Sequence, residues 1–344
     1  MRKKILIQGG GGFIGGHLVK RLMSEGHWVR TADLKSHEYG VRPSEERIGD
    51  LADYDFAKSI TRLENEENFD EIYQLAADMG GAGYIFSGNF DADLMQNSSV
   101  VNLNLMRALT SVEDFDERNK PKIFYSSSAC IYPEEIQMEI DNPGLREMDA
   151  YPANPDSEYG WEKLFSERLF LAYARNYGFP VRIARFHNVY GPQGTWRGGR
   201  EKSPAAICRK VALCPDNGEI EIWGDGKQTR SYLYIDDCVD AVLLLMKSSY
   251  SQPINIGSEE IVSINELVNI AAEIAGKSIR IRHVPGPLGV RGRNSNNDLI
   301  RKELGWDKKI SLREGLSRTY RWIDEQIEMM SAGERAIEAS GSRS

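Results

Sequence analysis

The sequence predicts an α/β protein: a doubly wound parallel sheet carrying a smaller mixed α/β substrate-binding domain. Three observations carry this. Short apolar, strand-like runs alternate with helical stretches through the first half, the pattern of a parallel sheet covered on both faces. The first such run, Ile5-Leu6-Ile7, opens directly into Gly9-Gly10-Gly11-Gly12-Phe13-Ile14-Gly15-Gly16. The residues able to do chemistry fall at the carboxyl ends of the expected strands, where open α/β sheets bind their ligands.

The elements follow in order. Residues 4–8 form a strand and 13–25 a helix. Gly9, Gly12 and Gly15 between them are spaced to turn the chain, approach a pyrophosphate and pack helix on strand. The helix N-terminus offers free N–H groups and a positive dipole end to the phosphates. A second strand, 27–32, ends at Asp33, at the distance where an acidic side chain binds the adenosine ribose hydroxyls. Its charge would repel a 2′-phosphate, which favours NAD over NADP, although Lys35 stands close by. The expected cofactor contacts are Gly9, Gly12, Phe13, Ile14, Gly15, Asp33, Asp50 and Leu51, joined by Tyr159 and Lys163. Further strands are expected at 71–76, 121–127 and 180–186, with helices at 97–113 and 158–177. Their ends gather Ala76-Ala77-Asp78, Ser128 and Phe186-His187-Asn188 into one crevice with Gly9 and Asp33.

Tyr159 and Lys163 lie four residues apart on the helix at 158–177, which stacks a phenol and an ammonium on one face. A nearby Lys⁺ favours the phenolate, so the tyrosine is expected to act as a base near neutral pH. Beyond residue 188 the pattern loosens. Glycine- and arginine-rich segments at Gly191–Lys202 and Trp223–Arg230 precede a helix at 236–247 that returns to the first domain. Amphipathic helices follow at 263–276 and 312–330. The expected division is a nucleotide-binding domain of 1–187 plus 231–258 and a substrate domain of 188–230 plus 259–330, with 331–344 a disordered tail.

Composition narrows the function. The chain has 344 residues, 41% hydrophobic and 27% charged, and a formal net charge of −8, which argues against nucleic acid as the main partner. No apolar run approaches the ~18 residues of a membrane span. The basic start Met1-Arg2-Lys3-Lys4 leads into a strand that meets glycines, not into an export signal. Cys130, Cys208, Cys214 and Cys238 are then expected as free thiols in a reducing cytoplasm. Cysteines and histidines lack metal-ligand spacing, so no metal is expected.

Gly9-x-x-Gly12-x-x-Gly15, Ser128 and Tyr159-x-x-x-Lys163 together resemble the extended short-chain dehydrogenase/reductase family, over about residues 3 to 330. The resemblance implies a Rossmann-type fold, tightly held NAD and a hydride taken from a sugar carbon. It implies that Ser128 orients the reacting hydroxyl, Tyr159 is the base, and Lys163 lowers its pKa while holding the nicotinamide ribose. Members that dehydrate sugars carry a glutamate where this chain has Cys130. A thiol there can exchange protons near neutral pH if a cation lowers its pKa, or can simply be inert packing.

Longer blocks are similar to that family's epimerases of GDP-hexoses. They are Leu75–Gly81, Ser127–Glu134, Arg185–Pro192, Gly198–Ala206 and Gly289–Ser295. This similarity implies a GDP-sugar substrate inverted at carbons 3 and 5 after transient oxidation at carbon 4, with Cys130 and Lys202 as the acid–base pair. It implies substrate contacts from Gly81, Ser128, Asn188, Glu201, Lys202, Lys210, Gln228, Arg230 and Arg291, and a homodimer whose interface could be a bundle of helices 97–113 and 158–177. Lys202 must sometimes be neutral, and Lys210, Arg200 and Arg291 are the cations that could lower its pKa, with Glu201 opposing. The chain departs from the pattern between Gly83 and Phe124, where Phe86 replaces an expected glutamine and Glu113–Lys120 forms a charged loop.

Bland readings stand beside these. Lys202 could be a phosphate-binding or surface lysine, and Asp225 a turn residue. Trp196 could stack on the base or fill the core, Trp223 is expected to pack, and Asp78 could touch the cofactor or cap a turn. Arg291 and Arg293, beside the glycine-rich stretch Gly286–Gly292, suit ligand contact. A 4-epimerase or 4,6-dehydratase on the same scaffold, or a non-catalytic NAD-sensing protein, are the rival functions.

Overall fold

The structure, a computed structural model, describes residues 1–63, 67–111, 120–286 and 289–341. In chain order the elements are β1 (Lys4–Gln8), α1 (Phe13–Ser24), β2 (Trp28–Asp33), β3 (Glu45–Ile48), α2 (Tyr54–Ile60) and β4 (Glu71–Gln74). There follow α3 (Ala82–Ile85), α4 (Asp91–Thr110), β5 (Lys122–Ser128), α5 (Glu158–Tyr177), β6 (Val181–Phe186) and β7 (Val189–Tyr190). The second half holds α6 (Ser203–Leu213), β8 (Glu219–Trp223), β9 (Thr229–Ser231), β10 (Leu233–Tyr234), α7 (Ile235–Lys247) and β11 (Ile254–Ile256). Last come β12 (Ile261–Ser263), α8 (Ile264–Ala275), β13 (Arg280–Val284), β14 (Gly292–Arg293), α9 (Asp298–Leu304) and α10 (Leu312–Gly341).

Seven strands form one sheet in the order β11-β6-β5-β4-β1-β2-β3, with every neighbouring pair parallel. The order reverses between β1 and β4, the switch point at which such sheets open a crevice. Both faces are buried, as parallel strands require. Ile5, Ile7, Tyr73 and Phe124 pack into one core cluster, while Leu6, Ile72, Ile123 and Tyr125 alternate into the other. The second half builds small sheets, β10-β7, β12-β9-β14 and β13-β8, beside the carboxyl ends of the large one.

Several boundaries differ from the sequence expectation. β3 (EERI) has no apolar run, and it pairs with β2 at the sheet edge. Helix α4 starts at Asp91, ahead of the expected 97, with Asp91 and Asp93 in its first turn against the positive end of the helix dipole. Helix α10 continues to Gly341 through the stretch expected as tail, which is rich in Ala and Glu, both good helix formers. The charged loop at Glu113–Lys120, Lys120 excepted, and residues 342–344 lie outside the described residues.

Candidate active site

The cofactor end is built on main chain. Gly9 follows β1 with φ +86°, and a Cβ there would stand 2.7 Å from the Ala76 amide nitrogen of the neighbouring strand end. A Cβ on Gly15 would stand 2.1 Å from Gly9 O, so only two glycines let α1 approach the turn this closely. Gly12 is the N-cap of α1 and makes no side-chain cap, which leaves the first N–H groups of the helix for an anion. Phe13 and Ile14, partly buried, hold this helix end against the core. Asp33 ends β2 and accepts from the Gly11 amide at 3.0 Å. Burial pushes its carboxyl up, while amide donors from Lys35, Gly11 and Leu34 oppose that. A glycine cradle at an uncapped helix end, with an acid beside it, fits a dinucleotide. Asp50 is exposed just beyond β3, whereas Leu51 is a core side chain.

The reacting groups meet where β5 and α5 converge. Ser128 closes β5, and its Oγ accepts the Cys130 amide at 3.1 Å, which starts a short 3-10 turn over Ala129–Ile131. Ser157 caps α5 by accepting the Gly160 amide, so Tyr159 enters in the first turn and Lys163 one turn later. A Cβ on Gly160 would come within 2.1 Å of Cys130 O, so the glycine lets α5 lie directly on the cysteine turn. Cys130 and Tyr159 share one small buried cluster with Tyr84, Ile85 and Leu94.

The electrostatics correct the expectation for Tyr159. Burial pushes its phenol well above the usual value, Cys130 and Glu162 add to this, and only the Ser128 hydroxyl pulls it down. Lys163 spends its ammonium on Ser126 O at 3.1 Å and lies 5.6 Å from the Tyr159 ring centroid. Its own pKa is lowered by burial. Burial by itself therefore works against the phenolate that a base at this position needs. Lys202, at the N-cap of α6, is also lowered by burial. The expected cations are not the cause, and the thiols of Cys130 and Cys238 oppose the shift.

The expected substrate contacts divide. Gly81 donates to Arg200 O at 3.0 Å, and a Cβ on it would strike Glu201 O, which joins the two loops at the crevice. Asn188, at φ +43°, donates to Ser231 O at 2.9 Å. Gln228 is buried with its Oε1 unpartnered, and Ser231 Oγ and Asn294 Oδ1 are buried without partners nearby in the chain. Among the described residues, Arg230 gives its N–H groups to Thr229 O and Val290 O. Burial pushes this guanidinium down to about 10, which marks a cation short of an anion. Glu201, by contrast, is committed: Oε1 pairs with Arg209 at 2.7 Å and Oε2 accepts the Gly199 amide. Lys210 donates to Glu221 O at 2.6 Å. Arg291 forms a two-pronged pair with Asp225 at 3.0 and 3.1 Å, which lowers the Asp225 carboxyl to about 2. Glu201 is thus held on both oxygens, whereas Lys210 and Arg291 keep further N–H donors beside their present partners.

Trp223, expected to pack, is 43% exposed on β8 and lies over Gly286 and Gly83 at the rim. Trp196 fills the core. Asp78 accepts from Tyr84, Asn97 and Arg200, so it braces its loop. Arg293, expected to suit ligand contact, is instead buried behind Cys130 with its N–H groups on Cys130, Asp156 and Gln137, and sequence reasoning missed the last two. No local pattern marks residues that meet across 137 to 163 positions. Among the described residues, no three His, Cys, Asp or Glu side chains gather as a metal site, and no helix is long and apolar enough to cross a membrane.

Comparison with known proteins agrees with this geometry. Residues 5–257 match the model of the NAD dependent epimerase/dehydratase family. A GDP-mannose 3,5-epimerase of Arabidopsis thaliana is 45% identical over 98% of this chain and 87% of its own length. GDP-mannose 3,5-epimerase 1 of Oryza sativa subsp. indica is 46% identical over 94% of this chain and 82% of its own. Among solved structures, a UDP-glucose 4-epimerase of Thermotoga maritima with UDP-glucose superposes with TM-score 0.80, at 26% identity, over 94% of this chain and 99% of that one. A glycine cradle at the sheet's switch point, a Ser128–Tyr159–Lys163 group beside it, and a match spanning most of the chain lead to one conclusion: the chain belongs to the NAD dependent epimerase/dehydratase family.

Proposed function

We propose that the protein is an NAD-dependent isomerase that epimerises GDP-D-mannose at carbons 3 and 5 to GDP-L-galactose, with GDP-L-gulose as the single-inversion side product. The observation that carries this is the second acid–base pair. Cys130 stands in the same buried cluster as Tyr159, and Lys202 is close enough for its charge to be felt by the thiol. A 4-epimerase needs only Ser128, Tyr159 and the cofactor. A dehydratase needs a carboxylate near the sugar, and Asp156, beside Cys130, is held by Arg293. The relatives named as GDP-mannose 3,5-epimerases support the choice of substrate.

NAD⁺, when bound, accepts a hydride from carbon 4. Ser128 orients the carbon-4 hydroxyl, and Tyr159, acting as the phenolate, takes its proton as the hydride leaves. Burial opposes that phenolate, so it forms only with compensating positive charge beside it, from Lys163 and the bound cofactor. The resulting ketone acidifies the C–H bonds on both sides. Lys202, lowered by burial, takes a proton as the free amine, and the C–H electrons pass to the carbon-4 oxygen as an enolate. Cys130 then protonates the opposite face of that carbon, leaving a thiolate facing an ammonium. With roles exchanged, the same pair inverts the second carbon and returns to its starting state. Tyr159 finally returns its proton to the carbon-4 oxygen as carbon 4 regains its hydride from the reduced cofactor, so there is no net redox change. Arg230, Gln228 and Asn188 are the residues suited to the diphosphate and nucleoside.

A homodimer is proposed on exposed apolar side chains of the adjacent helices α4 and α5, Met95, Leu103, Trp161 and Phe165, which a second copy would cover. A cytoplasmic location is proposed on the four free cysteines. The test of the reaction is incubation with GDP-D-mannose in D₂O, followed by proton NMR. Loss of signal at carbons 3 and 5 with new galacto and gulo resonances is the expected result. Unchanged sugar signals would refute the substrate assignment.

A further inference from the structure

Arg293 is the most committed cation near the reacting groups, and none of its bonds goes to solvent. It is 5% exposed in β14 and spreads its guanidinium over three segments distant in sequence. Nε donates to Gln137 Oε1 at 2.6 Å, Nη2 pairs with Asp156, and Nη1 donates to Cys130 Sγ at 3.2 Å. The strand itself cannot drift. A Cβ on Gly292 would stand 2.0 Å from Glu139 O, and the Arg291 amide donates to Gln137 O at 2.9 Å. Gln137 is anchored in turn by donating to Tyr132 O and Pro133 O, both at 3.0 Å, just after the cysteine turn. Asp156 also accepts from Ser157, the residue that caps α5 ahead of Tyr159. One side chain thus ties the thiol to the start of the helix that carries the tyrosine.

We propose that Arg293 is a positioning residue for proton exchange: it aims the Cys130 sulfur and stabilises the thiolate each time Cys130 gives up its proton. This rests on the acid–base role of Cys130 proposed above. The argument is differential. A neutral thiol is a weak acceptor, whereas a thiolate beside a guanidinium makes a charge-assisted bond, so the Nη1–Sγ contact strengthens only when the proton has left. The proton goes to the sugar carbon, where the enolate electron pair forms the new C–H bond, and the S–H pair stays on sulfur. The fork geometry matters as much as the charge. Three acceptors in three directions occupy Nε, Nη1 and Nη2 at once; an ammonium has three N–H groups too, but on a single nitrogen too compact to span this fork.

The surroundings make this contact necessary. The charged and titratable groups facing Cys130 are Asp156, Tyr159, Lys163, Lys202, Arg230 and Arg293. Burial pushes the thiol up and Asp156 adds to it, while Arg293 and the Ser128 hydroxyl pull it down. Arg230 is the β-register partner of Arg293, but its N–H groups go to main-chain carbonyls.

The experiment compares Arg293→Gln and Arg293→Lys in the full-length, NAD-loaded protein. Arg293→Lys keeps a charge for Asp156 and so keeps the fold if the glutamine variant does not. Two readouts are taken. The first is the thiolate ultraviolet absorbance against pH, with the same variant carrying Cys130→Ser subtracted. The second is the rate of deuterium entry at carbons 3 and 5 relative to reduction of the bound cofactor by GDP-D-mannose. The expected result is a thiolate midpoint raised by about one pH unit or more in Arg293→Gln, about tenfold less thiolate below the midpoint. A smaller rise is expected in Arg293→Lys. Deuterium entry should fall about tenfold or more in both, with cofactor reduction changed less than about threefold. An unmoved midpoint and an unchanged ratio of exchange to reduction in folded Arg293→Lys would overturn the proposal and leave Arg293 as a counter-ion of Asp156. Wild-type protein that neither exchanges protons nor reduces its cofactor with this sugar would refute the substrate reading instead, and the thiolate titration alone would still decide the role of Arg293.

Discussion

Replacing Gly15 by alanine tests the close approach on which the cofactor end depends. The new Cβ would stand 2.1 Å from Gly9 O and 2.9 Å from Gly9 C, both main-chain atoms. Gly9 has nowhere to go. Its amide donates to Ala32 O at 2.9 Å, its oxygen accepts the Gly12 amide at 3.1 Å, and a Cβ on its far side would already meet the Ala76 amide. Turn and helix must therefore part by about 1 Å, an overpacking strain of about 1–3 kcal/mol. Because relief moves the Gly9–Gly12 turn away from the α1 N-terminus, the same strain falls on NAD binding, which should weaken about 5- to 150-fold. The assay is calorimetric titration of NAD into stripped protein, with urea unfolding alongside. Gly12→Ala is the control: its Cβ would lie 3.3 Å from Gly9 O at an ordinary φ of −87°. That variant should lose less than about 1 kcal/mol of stability. Wild-type affinity and stability in Gly15→Ala, with larger losses in Gly12→Ala, would refute the reasoning.

Two further predictions concern stability. Arg185 and Glu167 form a two-pronged buried pair, at 2.9 and 2.8 Å, that also receives the Ser127 hydroxyl. Glu167→Gln strands the guanidinium and should cost about 3–5 kcal/mol in urea unfolding; a loss below about 1 kcal/mol would contradict this. Burial pulls the His187 imidazole down to about 3, with its Nε2 against Asn255 Oδ1 at 3.1 Å. The unfolded chain binds this proton near pH 6.5 and the folded one does not, so the stabilisation is whole above that value and is lost as pH falls toward the folded value. From about pH 8 to about pH 5, wild type should lose about 2 kcal/mol more than His187→Gln. Parallel pH profiles for the two proteins would sink that assignment.

What the sequence determined by itself is local in origin. Glycine spacing after an apolar run fixes the turn and the helix that follows, since the conformational freedom it needs belongs to those residues alone. Four-residue spacing places Tyr159 and Lys163 on one face of α5, and the expected span 158–177 is the span observed. Alternating apolar runs announce the parallel sheet and, with it, the edge where ligands bind. Only the tertiary structure decided the chemistry of those side chains. Desolvation, which no neighbour in sequence reveals, raises Tyr159 and lowers Lys202, against or apart from the expected influence of nearby charges. Partner choice is equally non-local. Glu201 goes to Arg209, Arg291 to Asp225, and Arg293 reaches Cys130 across 163 positions. Backbone propensity acts over a few residues, whereas the energy of a buried charge depends on whatever the fold packs around it.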